Sequence, residues 1–179
     1  QAVRTKVYKI NLVTESIVDV ISDNTGSFTG ETLDSQIDLT NGYMYLTISN
    51  NYDPFVGIPR SRVLKIKLNG PTQDMTKVGE LVLSEGNELI TASVVDTINQ
   101  LMYVAIGNNP AKLMKIDLDV DANAAPVKID EIQLVSNPDQ SPFETVGVQS
   151  AVIDPINGYA YFASSDDVFG RDIAYSSVK

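Results

Sequence analysis

Three carboxylates sit at equal intervals along this 179-residue chain: Asp38, Asp96 and Asp154, each 58 residues after the one before. Aspartates are the residue type that could ring a hard cation such as Ca²⁺ or share acid–base duty at a glycosidic bond, provided the fold brings them together. Each is followed three residues later by an asparagine, Asn41, Asn99 and Asn157, and Gly42 and Gly158 come next in the first and third copies. Asn-Gly is a strong hairpin signal because both residues tolerate positive φ, and an Asp just upstream can accept a backbone N–H of the turn. These six Asp and Asn residues are therefore expected to be structural, with turn chemistry accounting for the carboxylates without a metal. Gln100 replaces the glycine in the middle copy, so that turn is expected to carry strain or to adopt a different type.

A second acidic stretch, Asp117-Leu-Asp-Val-Asp-Ala-Asn123, places carboxylates at alternate positions like the opening of an EF-hand loop. That loop requires Gly at its sixth position and Glu at its twelfth, where this chain has Ala122 and Lys128. Asp117, Asp119 and Asp121 are the residues a calcium ion would have to use; the expectation is an acidic turn and no cofactor. Ser164–Asp172 is a weaker acidic loop. The chain contains neither His nor Cys, which excludes Ser-His-Asp and Cys-His nucleophilic systems, Cys/His zinc sites and disulfides. No carboxylate pair is singled out by an apolar setting. No catalytic residue is assigned, and the chain is expected not to be an enzyme.

The formal net charge of −10 and pI near 4.3 argue against nucleic acid, whose phosphates demand clustered Lys and Arg. No run of 18 apolar residues suggests a membrane span. No Asn-x-Ser/Thr sequon occurs, since Asn24-Thr-Gly and Asn69-Gly-Pro fail at the third position; O-linked sugar stays open.

The carboxylates belong to a longer repeat. Ser35-Gln-Ile-Asp-Leu-Thr-Asn-Gly-Tyr-Met-Tyr-Leu46 returns as Ser93-Val-Val-Asp-Thr-Ile-Asn-Gln-Leu-Met-Tyr-Val104 and as Ala151-Val-Ile-Asp-Pro-Ile-Asn-Gly-Tyr-Ala-Tyr-Phe162. A fixed period of this size means one supersecondary unit stacked on copies of itself. Each unit resolves into four short apolar runs separated by turn residues, a β-meander. The runs are Ser35–Leu39, Tyr43–Ile48, Arg62–Leu68 and Lys77–Leu83, then Ala92–Asp96, Leu101–Ile106, Lys112–Leu118 and Val127–Leu134. Val7–Leu12 and Ser16–Ile21 match the third and fourth runs. Ala151–Asp154, Tyr159–Ser164 and Asp172–Val178 match the first three. The expected organisation is a partial unit at 1–34, whole units at 35–92 and 93–150, and a partial unit at 151–179. The second run is apolar on both faces, which implies burial between neighbouring sheets. The third run interleaves Lys65, Lys67, Lys115 and Asp117 among apolar residues, as expected where outer strands meet water.

The repeat, with Pro110-Ala-Lys-Leu-Met-Lys-Ile-Asp-Leu118 and Leu81–Leu89, resembles the β-propeller repeat of large secreted and cell-surface proteins, related broadly to NHL, YncE-like and streptogramin-lyase-like propellers. The resemblance covers nearly the whole chain from Val7 onward. It implies an all-β fold of four-stranded antiparallel blades, about three blades of a larger propeller, with the Ala151–Asp154 type of strand innermost. The family's Gly-Thr after the Tyr-x-Tyr-Phe motif is here Thr47-Ile, Ala105-Ile and Ala163-Ser. The lyase branch depends on histidine, so its chemistry does not carry over. What remains is a non-catalytic structural module, or one that contacts proteins or glycans, in an extracellular or cell-surface assembly. The rival expectation is a carbohydrate-active or lyase-type enzyme whose active residues lie outside these residues. Propellers close with four to eight blades, so the expected partners are further blades of a longer polypeptide or further copies of the chain. Tyr52, Phe55 and Phe143 place aromatics on long loops and are the candidate interaction residues.

Overall fold

The computed structural model describes residues 5–22, 30–49, 61–83, 89–107, 111–134, 146–166 and 176–178. Among these residues there are strands and turns and no helix. A hairpin, β1 (Val7–Asn11) and β2 (Ser16–Ile21), precedes two four-stranded antiparallel meanders. The first comprises β3 (Glu31–Asp38), β4 (Tyr43–Ser49), β5 (Arg62–Lys67) and β6 (Thr76–Val82). The second comprises β7 (Ile90–Asp96), β8 (Leu101–Ile106), β9 (Lys112–Asp117) and β10 (Val127–Gln133). A three-stranded sheet of β11 (Val146–Asp154), β12 (Tyr159–Asp166) and β13 (Ser176–Val178) follows. In every sheet the strands pair in chain order, as short turns between sequential antiparallel strands dictate.

The first strands begin earlier than the apolar pattern suggests, at Glu31, Ile90 and Val146 rather than at Ser35, Ala92 and Ala151. Each carries a β-bulge, between Thr32 and Asp34, between Ile90 and Ala92, and between Val148 and Ser150. A bulge inserts one unpaired residue and reverses which side chains face the core. A period-2 reading therefore loses the strand at that point. The bulged residues Leu33, Thr91 and Gln149 are themselves 58 apart.

The sheets stack face on face, and their first strands β3, β7 and β11 lie side by side. Three apolar interfaces result. Between the opening hairpin and the first meander, Val7 and Ile21 meet Leu46, Ile48, Leu64 and Ile66. Between the two meanders, Tyr43, Tyr45 and Val63 meet Ile90, Val95, Met102, Val104, Ile106 and Met114. Between the second meander and the last sheet, Ala92, Ala105 and Leu113 meet Val148, Ala151 and Phe162. Covering a side chain such as Ile106 stabilises by about 1.5–3 kcal/mol relative to leaving it in water, so the interfaces, not the single sheets, hold the molecule together. The second strands β4 and β8 are buried on both faces, as their sequence implies, while the fourth strand β10 is exposed throughout. The third strand departs from expectation. β5 is buried at every residue from Arg62 to Ile66, Lys65 included; water is met by the fourth strands.

Candidate functional site

The recurring Asp and Asn build three similar turns. Asp38 Oδ1 accepts the Asn41 N–H at 3.1 Å and its Oδ2 accepts the Asn41 side-chain amide at 2.8 Å. Asp96 repeats both with Asn99, at 3.0 and 2.8 Å, and adds the Ile98 N–H. Asp154 repeats them with Asn157, at 3.1 and 2.7 Å. The Asn157 side-chain amide, then its backbone N–H, hold the Asp154 carboxyl below the usual carboxylate range, because hydrogen bonds to the charged form favour it. These are not two-residue turns with both central residues left-handed. Asp38 pairs with Tyr43 across four intervening residues, and positive φ falls on Gly42 and Gly158 but not on the preceding asparagines.

Gln100 takes the left-handed position in the middle turn, with φ 54°. A side chain there costs about 1–2 kcal/mol relative to glycine, and two side-chain hydrogen bonds act against that cost. Its side-chain amide donates to Thr97 O at 2.7 Å and to Asp38 Oδ2 at 3.2 Å, while its backbone carbonyl receives the Leu118 N–H at 2.9 Å. The Gly42 carbonyl receives the Leu68 N–H in the same way at 2.9 Å. Gln100 thus ties its own turn to the aspartate of the neighbouring sheet.

Further polar joints run from sheet to sheet. Asp34 Oδ2 accepts both the backbone N–H and the hydroxyl of Ser93 at 2.8 Å, and the Gln36 amide donates to Ser93 O at 2.9 Å, stitching β3 to β7. Lys9 Nζ reaches three carbonyls around the β5–β6 turn, Leu68 at 3.4 Å, Gln73 at 2.9 Å and Gly70. Asp19 Oδ2 accepts the Met75 N–H at 2.6 Å. Gly79 on β6 lies so close to the β9–β10 turn that a Cβ there would stand 2.6 Å from Ala125 Cα.

Lys65, the counterpart of Lys9 in the next sheet, is only 1% exposed. Its ammonium lies 4.4 Å from the centre of the Tyr43 ring. Burial lowers its pKa, and the nearby charges of Asp121 and Asp119 act against that. Tyr43 donates its hydroxyl to Ala122 O at 3.0 Å. Tyr45, 6.5 Å away ring to ring, is fully buried with its hydroxyl unpaired, and burial pushes its pKa well above the ordinary value. The acidic stretch is therefore the cap over a buried cation–aromatic cluster. Within the stretch, the Asp119 N–H donates to Asp117 Oδ1 at 3.0 Å. Among the described residues no three acidic side chains converge as a metal site would require.

Tyr52, Phe55 and Phe143 lie outside the described residues. Sequence reasoning missed the joints made by Asp34, Gln36, Ser93 and Gln100. One signal was available: a glutamine standing where its repeats hold glycine needs a reason, and a contact to the next sheet is one. No protein-family model matches the chain, and the curated proteins contain no significant match to it.

Proposed function

We propose that the chain is a non-catalytic run of β-propeller repeats, its sheets set radially about an axis beside β3, β7 and β11. It acts as a structural or interaction scaffold in an extracellular or cell-surface assembly, where it contacts further repeats, further copies or glycans. The observation that carries this reading is where the recurring polar residues go. Asp38, Asp96 and Asp154 close their own turns, while Asp34, Lys9 and Gln100 join one sheet to the next. Both oxygens of Asp96 already accept hydrogen bonds from its own turn, which suits a turn better than a proton-transfer group. The radial placement is supported by the adjacent first strands and by the gradient from buried second strands to exposed fourth strands. The extracellular address rests on the resemblance of the repeat.

The test is Asp96→Ala, followed by thermal unfolding beside turnover on polysaccharide substrates. The scaffold reading expects a lower Tm, from a loss of about 1–3 kcal/mol for the orphaned turn donors, and no turnover from either protein. Turnover by the parent that disappears in the variant at unchanged Tm overturns it.

A further inference from the structure

We infer that the end of the stack carrying the Asp-x-x-Asn turns is a docking surface for a cationic amphipathic polypeptide segment. The inference rests on the scaffold reading above and names the chemistry of its partner. In an antiparallel meander the turn from first to second strand and the turn from third to fourth emerge at the same end of the sheet. Contacts between neighbouring sheets bring these ends together. Gln100 of the β7–β8 turn reaches Asp38 of the β3–β4 turn at 3.2 Å, and Tyr43, at the start of β4, reaches Ala122 in the β9–β10 turn at 3.0 Å. β11 lies beside β7 at the matching level, with Ala92 meeting Val148 and Ala151. The β11–β12 turn is therefore the next in line.

This row of turns is apolar where its own geometry does not require it. Turn chemistry fixes the aspartate and the asparagine and asks nothing of the two side chains between them. Each copy nevertheless places a large aliphatic there: Leu39, Ile98 and Ile156, which are 77%, 61% and 85% exposed. Single exposed aliphatics are ordinary on a folded protein, but a row repeated from sheet to sheet marks a contact surface. The row is also held in place before any partner arrives, because every turn is closed by its own Asp and Asn. Little ordering is then needed on binding.

Charge decides what the surface accepts. The turns from third to fourth strand form an outer arc beside the row, and they expose Glu15, Asp74, Asp119 and Asp121. Lys67 and Lys128 are exposed cations close to this arc, and Lys128 is paired with Glu131 at 2.7 Å. The arc is thus acidic. A second copy of the chain would bring the same acidic arc and be repelled, and so would an anionic lipid surface. A segment with aliphatic side chains for the inner row and Lys or Arg for the outer arc complements both.

The test uses the full chain with labelled Ile, Leu and Val methyl groups, titrated with a synthetic amphipathic peptide of leucine and lysine and followed by NMR. Resonances of Leu39, Ile98 and Ile156 are expected to shift together with one affinity. Ile129 and Ile132 on β10, 49% and 47% exposed, serve as controls and are expected not to shift. Ile98→Ser is expected to weaken binding about tenfold. Asp74→Asn combined with Asp121→Asn is expected to weaken it as well and to flatten its dependence on salt. All three sites are exposed, so an unchanged β-sheet circular dichroism spectrum is expected of each variant. Absence of binding overturns the inference, as do shifts that fall equally on β10. It also fails if oligolysine or a leucine–glutamate peptide binds as tightly, or if vesicles of phosphatidylcholine and phosphatidylserine shift the same three methyls. Failure to bind, without turnover, leaves the scaffold reading standing. Turnover on polysaccharide substrates by a chain that binds the peptide removes that reading and leaves the surface.

Discussion

Tyr43 and Tyr45 show what position does to one side chain type. Both stand on β4 against the second meander, but only Tyr43 has an acceptor, Ala122 O. Desolvating a hydroxyl without a partner costs about 1–3 kcal/mol. Tyr45→Phe removes that group and is expected to raise stability by about 1 kcal/mol, whereas Tyr43→Phe is expected to lower it by a similar amount. Chemical denaturation of the two variants checks the pair, and equal effects would remove the argument. Lys65 makes the complementary case for charge. Burial holds its folded pKa below the ordinary value of 10.5, so the unfolded chain binds the proton more tightly. Stability from this group is accordingly lost at low pH and regained as pH rises from the lowered folded value to 10.5. Lys65→Met keeps the volume without the charge. It is expected to match or exceed the parent by up to about 2 kcal/mol at pH 7, since apolar replacement of buried charge is often neutral or stabilising. The advantage should shrink as the pH approaches 10.5. A variant equally destabilised at pH 7 and pH 10 would place the loss in packing instead.

At the scale of strands and turns, much of the molecule was legible because its punctuation repeats. The Asp-x-x-Asn pattern located three turns, and the doubly apolar runs Tyr43–Ile48 and Leu101–Ile106 fell on β4 and β8. What the pattern hid has physical causes. The bulges at Leu33, Thr91 and Gln149 reverse the alternation, so the beginnings of β3, β7 and β11 drop out of the period-2 pattern. Lys65 reads as a solvent-facing charge because alternation cannot reveal that the β9–β10 turn of the next sheet closes over it. Gly79 belongs to the same class: in sequence it looks like a weak point in a strand, yet its missing side chain admits the Ala124–Ala125 backbone. Backbone cannot step aside as a flexible side chain can, so Gly79→Ala is expected to destabilise by about 1–3 kcal/mol. Gly42→Ala meets no atom within 4 Å and is limited to the strain of its left-handed backbone, about 1–2 kcal/mol. Combining Gly79→Ala with Ala125→Gly, which removes the Cβ of the opposing residue but not its backbone, should recover little. Full recovery would show that a side chain, not the main chain, sets the limit.

Over the whole molecule, neighbour-only contacts govern behaviour. The opening hairpin touches the first meander, the first meander touches the second, and the second touches the last sheet. The repeat period announced such a stack. Which residues would join the sheets was not announced, because a joint depends on where two distant turns meet. In a one-dimensional stack, stability is close to a sum of unit and interface terms, so opening starts at the ends. Hydrogen exchange should therefore be graded. Met102, Val104 and Ile106 on β8 are hydrogen-bonded along both edges, covered on both faces and flanked by sheets on both sides, and are expected to be the slowest amides. β4 has the same local setting, and Leu46 and Ile48 should follow closely. β10 pairs along one edge with every side chain exposed, and β2 is an edge strand of a two-stranded hairpin. Their amides are expected to exchange by local opening, well below the global unfolding free energy. Uniform rates from β10 to β8 would mean that the chain unfolds as one block and that the neighbour-only description of its stability is wrong.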